Sequence, residues 1–226
     1  MNKIKNHFEK EAAEFDQIML MLSPYYPQMV DAVVSMALAK VKGPARVLDL
    51  GCGSGNISAQ MLAKNDQLQI TCLDISDNML DLARNRLSSF KIIDYINAKV
   101  EDYAFDGVYD VVISSLALHH VQEDSVKQEM YKRIYSCLNE GGAFFNADIT
   151  TTDDPHWQEV YTQKWKDFML KSVSLDEIEN KWVPRHEEYD SPKHLTNELD
   201  MLKQAGFKQT DVAWKYFMTT VYGAIK

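Results

Sequence analysis

The stretch Arg46-Val47-Leu48-Asp49-Leu50-Gly51-Cys52-Gly53-Ser54-Gly55-Asn56 constrains the fold more than any other part of the chain. Val47, Leu48 and Leu50 read as a short buried strand carrying one acidic residue near its end. The strand runs into a glycine loop, and an amphipathic helical pattern begins at Ile57. A strand, a glycine loop and a helix N-terminus make a ligand cradle: the backbone turns sharply, a ligand can approach without a Cβ in the way, and free N–H groups point outward. A dinucleotide loop asks for G-x-G-x-x-G. Here the glycines fall at 51, 53 and 55, and position 56 is Asn. The Asp49 carboxylate would also repel a pyrophosphate at short range. It suits a ligand bearing a cationic amine or sulfonium, which argues against a nicotinamide oxidoreductase.

The rest of the chain alternates strands with helices. Phe8, Ala12, Phe15, Met19 and Leu22 recur at helical steps, and Ser23-Pro24-Tyr25-Tyr26-Pro27 is expected to break that helix at its two prolines. Val30, Val33, Val34, Ala37, Leu38 and Val41 mark a second helix, stopped by Lys42-Gly43-Pro44. Past the loop, the Ile57 helix reaches about Lys64, and a strand over 69–73 ends at Asp74. Ser76 and Asp77 are N-cap residues for a helix carrying Met79, Leu80, Ala83 and Leu87. Strands follow at 92–96 and 110–115, separated by the polar turn Lys99-Val100-Glu101-Asp102. Val126, Met130, Ile134, Cys137 and Leu138 mark a helix expected to be closed by Gly141 and Gly142, ahead of a strand over 143–149.

This order implies crossover units and a parallel sheet covered on both faces. Crossovers are right-handed, so the carboxyl ends of the strands share one edge, where ligands of open α/β sheets bind. Asp49, Asp74, Val100, Glu101, Asp102 and Ser115 all fall there. Residues 151–190 break the alternation: Trp157, Tyr161, Trp165 and Phe168 form a helical stripe, and a second short helix is predicted over 174–182. Leu195, Leu199 and Leu202 give a last helix, followed by strands near 208–214 and 216–225. The reading is one domain over 1–226, with N-terminal helices over 1–44 and a helical lid insertion over 151–190, above the ligand edge.

Composition narrows the setting. With 33 acidic and 24 basic residues the net charge is −9, which disfavours a nucleic-acid partner. Met1 to Asp16 is charged and lacks the apolar core of a signal peptide, and no apolar run is long enough to span a bilayer. Cys52, Cys72 and Cys137 have no metal-ligand spacing, so a reduced, cytoplasmic protein is expected and no metal is.

The glycine loop and its strand resemble motif I of the class I S-adenosylmethionine (SAM)-dependent methyltransferases, close to V-L-D-L-G-C-G-x-G. The resemblance implies a Rossmann-like, doubly wound, mostly parallel seven-stranded sheet, and SAM as cofactor with S-adenosylhomocysteine as product. On the matching positions it implies a cofactor site made of Asp49, Gly51, Cys52 and Gly53, with Asp74 accepting from the ribose. Ile75 and Met79 would sandwich the adenine. Val100 and Glu101 stand at the turn where the family reads the adenine edge, although Lys99 occupies a place that is frequently acidic. Ser115 would face the methionine part. The segment Leu116-Ala117-Leu118-His119-His120 also matches many family members. His119 and His120 are the candidate catalytic residues, and two roles are open: a general base or polar pocket wall, or a histidine that pins the loop.

The flanks are similar to the branch containing the carboxy-SAM synthases of bacterial transfer-RNA wobble-uridine modification. The residues that carry this are Ser23-Pro24-Tyr25-Tyr26-Pro27, Val173-Ser174-Leu175-Asp176-Glu177-Ile178 and Leu202-Lys203-Gln204-Ala205-Gly206-Phe207. In that branch a tyrosine matching Tyr26 contacts the cofactor, and an Arg before a Pro holds the extra carboxylate. Here the dipeptide is Ser191-Pro192, and Arg185 is the nearby basic residue. The expected activity is methyl transfer to a small-molecule acceptor, with a carboxy-SAM synthase relative or a non-catalytic SAM-binding partner as alternatives. A homodimer is compatible with the sequence, which encodes no oligomeric state.

Overall fold

The computed structural model describes Lys5, residues 15–91 and residues 93–226; Phe8, Ala12 and Ile92 of the patterns above lie outside them. The elements are α1 (Phe15–Leu22), α2 (Tyr26–Lys40), β1 (Ala45–Leu50), α3 (Asn56–Lys64), β2 (Leu68–Asp74), α4 (Asp77–Arg86), β3 (Ile93–Asn97) and β4 (Tyr109–Ser115). After a 3₁₀ turn (Leu118–His120) come α5 (Asp124–Cys137), β5 (Leu138–Ile149), α6 (Pro155–Met169), the single turn α7 (Leu175–Glu177), a π-helical turn (Ile178–Trp182) and α8 (Val183–Tyr189). Helix α9 (Leu195–Ala205) and strands β6 (Gln209–Tyr216) and β7 (Thr219–Ile225) complete the chain.

The strands form one sheet in the order β3-β2-β1-β4-β5-β7-β6. The first five are parallel, and β7 runs antiparallel to both β5 and β6. The strand order reverses between β1 and β4, the switch point where such sheets bind ligands. Side-chain alternation divides the core. Val47, Ile70, Cys72, Val111 and Ile113 pack under α2, α3 and α4. Leu48, Leu50 and Val112 pack on the other face, against α5 and α9. On that face Lys127 and Glu198 form a fully buried ion pair, and Tyr131 donates to Glu198 at 2.5 Å. Removing one partner of such a pair costs about 3–5 kcal/mol, because the other is left buried and unpaired. A third cluster lies beyond the strand ends, where Ile18 of α1 meets Tyr161, Trp165 and Met169 of α6, Ile178, Trp182 and Met218.

Three boundaries differ from the sequence reading. Only Pro24 separates α1 from α2: Pro27 sits in the first turn of α2, where its missing N–H would have had no partner. Gly141 and Gly142 do not cap α5. The strand begins at Leu138, and the glycines lie where its register against β4 shifts. Gly141 has φ +73°, and a Cβ on Gly142 would stand 2.8 Å from the Asn139 carbonyl oxygen, so the bulge needs both. The helix predicted to end at Trp182 continues to Tyr189, because the π turn places Pro184 in the first turn of the following α-helical segment.

Candidate functional site

Asp49 sits near the end of β1, buried, and accepts from Ser58 Oγ at 2.6 Å. Burial pushes its carboxyl up to about 7; the Ser58 bond opposes this and the neighbouring Asp74 charge adds to it. The loop after it is built by backbone bonds. The Gly51 and Cys52 N–H groups both donate to the Leu73 carbonyl oxygen, at 2.8 and 2.9 Å. Gly51 has φ +68°, and a Cβ there would lie 2.3 Å from the Ala117 Cβ, so no other residue fits. Asp74, at the end of β2, accepts from the Gly53 N–H and the Ser76 N–H, each at 2.9 Å. The helix cap predicted at Ser76 is present, with its Oγ accepting from the Met79 N–H at 3.2 Å.

The N-terminal elements close on this loop. Tyr26 Oη accepts from Asn56 Nδ2 at 3.2 Å, and Phe15 lies over Gly53. Asp16 accepts from Ser54 Oγ at 2.7 Å and pairs with Arg86, which donates to Ser54 Oγ at 2.7 Å. Helix α1 is thereby tied to both the glycine loop and α4.

Together these residues surround a solvent-open cavity of about 950 Å³ over the β1–β4 switch point. Tyr26, Asp49, Gly51, Cys52, Gly53, Asp74, Ile75, Met79, Val100, Glu101 and Ser115 all line it. Sequence reasoning missed Phe15, Asn56, Ala98, Leu116 and Ala117 on the same walls, and had noted Lys99 only as a departure. Asn56 and Ala98 could have been found by their position next to predicted strand and loop ends, whereas Phe15 carried only a helical period.

A second cavity, also open to solvent and of about 770 Å³, is lined by α1, α6 and α8. Its apolar walls are Met19, Leu22, Trp165, Trp182 and Met218, with His119, Arg185, His186 and Asp190 at its polar end. It shares Phe15, Leu116 and His120 with the first cavity. Leu116 has φ +50°, a strained position for a branched residue, held by its N–H donating to the Ala147 carbonyl oxygen at 2.8 Å. Arg185 stacks its guanidinium 5.0 Å from the Trp182 ring centre. Ser191, where the resemblance implies an arginine, instead donates its N–H to the His119 carbonyl oxygen at 2.8 Å.

The two histidines are not equivalent. His119 is buried with Nδ1 2.5 Å from Asp148 Oδ1 and Nε2 3.4 Å from Asp190 Oδ1. Burial opposes its charge, but the two carboxylates outweigh it and raise the imidazole to about 10. Held between two acids and away from the first cavity, it pins the loop and has no free basicity near pH 7. His120 faces both cavities, and burial together with the His119 charge lowers its pKa.

The comparisons agree with this geometry. Residues 47–142 match the model of a methyltransferase domain. Among curated proteins, the carboxy-S-adenosyl-L-methionine synthase of Campylobacter lari is 24% identical over 95% of this chain and 92% of its own length. The synthase of Campylobacter fetus subsp. fetus is 26% identical over 99% and 96%. Among solved structures, a DhpI–SAH complex superposes with a TM-score of 0.67 at 15% identity, over 98% of this chain and 93% of that one.

Residues 47–142 thus resemble a methyltransferase domain, and the fold is one shared with SAM-dependent methyltransferases.

SAM is the cofactor of such a methyltransferase, and the residues of the first cavity fit it. A buried acid, Asp49, faces a space suited to a cationic amino-acid end. A second acid, Asp74, sits beside the apolar Ile75 and Met79, as a ribose next to an adenine requires. No helix among the described residues is long and apolar enough to cross a membrane.

Proposed function

We propose that this protein transfers the methyl group of SAM to a small-molecule acceptor held in the second cavity. The observation that carries the reading is the common wall: Phe15, Leu116 and His120 border both spaces, so a ligand in one can face a ligand in the other. SAM supplies an activated methyl on a sulfonium, and the transfer is an in-line displacement that asks the protein chiefly for alignment. Asp74, Ile75, Met79, Val100 and Glu101 would hold the adenosine end. Tyr26, Asp49, Gly51, Cys52, Gly53 and Ser115 would hold the amino-acid end. His120 would form the polar part of the wall that the acceptor meets, and Trp165 and Trp182 would exclude water around it. Residues 151–190 then act as the lid that selects the acceptor.

The test is transfer of label from methyl-labelled SAM to the low-molecular-weight fraction of a cell extract by the full chain. A labelled small product is expected, with a lower yield from His120→Ala. Tight SAM binding with no label leaving the cofactor, in any fraction, would leave a binding protein without turnover.

A second reading, a carboxy-SAM synthase, is favoured by the near full-length similarity to proteins of that name. Arg185 at the polar end of the second cavity would then receive the extra carboxylate in place of the arginine missing before Pro192. Mass spectrometry of the ligand that co-purifies separates the two, since a carboxylated ligand is heavier than SAM.

A further inference from the structure

We propose that His119, His120 and Asp190 bind a divalent first-row transition-metal ion at the polar end of the second cavity. The 3₁₀ turn after β4 supplies the histidines and the residue following α8 supplies the carboxylate. One potential ligand atom from each lies within 4.8 Å of the others. The pattern is invisible to sequence spacing, because the two contributing segments are far apart in the chain.

The distances are ones that an ion can bridge. Asp190 Oδ1 stands 3.4 Å from His119 Nε2 and 3.2 Å from His120 Nδ1. Charge-assisted N–H···O bonds close to about 2.7–2.9 Å. Two ligand atoms each about 2.0–2.2 Å from a tetrahedral metal lie about 3.3–3.5 Å apart, and the two Asp190 separations are within about 0.1 Å of that range. The surroundings are those of a ligand set. Asp148 holds His119 Nδ1 at 2.5 Å and is itself fixed by the His119 N–H and by Asn146 Nδ2, both at 3.1 Å. That leaves His119 Nε2 as the ligand atom, the carboxylate–histidine–metal arrangement of many metalloproteins. His186 Nδ1 takes the other Asp190 oxygen at 2.7 Å, which reserves Oδ1 for the ion.

Charge is compatible with this: the cluster holds two carboxylates, the buried Asp148 and the partly buried Asp190. Two imidazoles and one carboxylate suit zinc, iron or cobalt better than magnesium or calcium. Three protein ligands leave a coordination position open, and the second cavity is where it faces. A water or an acceptor oxygen could occupy it. One contact competes. His120 Nδ1 also lies 3.1 Å from the Tyr189 carbonyl oxygen, a bond that only a protonated Nδ1 can make, so the ion and that carbonyl exclude each other.

The test uses Co²⁺ alone as probe, with the untagged full chain and no SAM or acceptor, so it does not depend on the methyl-transfer reading. Visible d–d absorption of a four- or five-coordinate site is expected to saturate at about one equivalent, with elemental analysis after dialysis agreeing. Asp190→Ala and His119→Ala should abolish the spectrum, and Asp148→Asn should weaken binding about 10- to 100-fold. His156→Ala, an exposed histidine outside the cluster, should bind as the parent does. A parent protein that takes up no cobalt overturns the proposal whether or not the variants fold. So does binding that survives Asp190→Ala, or that falls equally in His156→Ala.

Discussion

The two cavities share a wall and are built from different materials. The first is made where parallel strands end, from the glycine loop, two acids and the helix starts that follow. Its shape is fixed by backbone bonds such as those of Gly51, Cys52 and Gly53. The second is made by side chains of α1, α6, α8 and the β7 turn, brought together by packing across the whole length of the chain. A site of the first kind keeps its geometry when neighbouring surfaces change. One of the second kind changes with every large side chain in its walls. On the proposed function, cofactor binding and acceptor choice would sit in separable parts of one molecule.

Substitutions can break or sharpen that contrast. The largest effect is expected from Gly51→Ala, which adds a Cβ into Ala117 on a backbone with positive φ. Strain and overlap should cost roughly 2–4 kcal/mol of stability and remove measurable SAM binding; a parent-like melting temperature and affinity would refute the backbone account of the loop. Asp74→Ala comes next. It removes the acceptor of the Gly53 and Ser76 N–H groups as well as the proposed ribose partner. At about 1–3 kcal/mol for a lost charged hydrogen bond, calorimetry should show SAM binding weakened about 10- to 100-fold.

Asp49 gives a pH effect. Its carboxyl is raised from 3.8 to about 7 in the ligand-free fold, so it favours folding most below pH 3.8 and this contribution is lost as the pH rises to about 7. A cationic ligand prefers the ionised form. SAM affinity should therefore rise severalfold between pH 6 and 7.5, and Asp49→Asn should flatten that profile. Trp165→Phe removes the bond from Nε1 to the Leu22 carbonyl oxygen, 2.8 Å long, that ties α6 to α1. About 0.5–1.5 kcal/mol of stability should go with it, together with acceptor turnover, while SAM affinity stays as in the parent. An equal loss of SAM binding would show that the two cavities are one energetic unit. The smallest effect belongs to Asp16→Asn at the partly exposed pair with Arg86. It should change SAM affinity by less than about 1 kcal/mol, and less still at high salt.

The same contrast explains what the sequence could disclose. The buried apolar run of Val47, Leu48 and Leu50, and caps such as Ser76, are local signals, so the sheet and the first cavity were legible from residue order. Prolines and glycines change meaning with context: Pro27 opens a helix instead of ending one, and Gly141 and Gly142 bend a strand. Nothing local links His120 to Asp190 or Phe15 to Gly53. Those pairs meet only because α1 and α8 fold back over the sheet edge, and no periodicity encodes that return. Ser54, Asp16 and Arg86 went unnoticed for the same reason, each being an ordinary polar residue within its own segment.

On the proposed function, the glycine loop and the strand-end acids hold SAM with its sulfur turned toward the second cavity. A crystal structure of the full chain with S-adenosylhomocysteine tests it most directly. The expected result is ribose hydroxyls within hydrogen-bonding distance of Asp74, adenine between Ile75 and Met79, and the sulfur facing the gap bordered by Phe15, Leu116 and His120. A ligand bound with its sulfur turned away from that gap, or seated outside the β1–β4 edge, would contradict it.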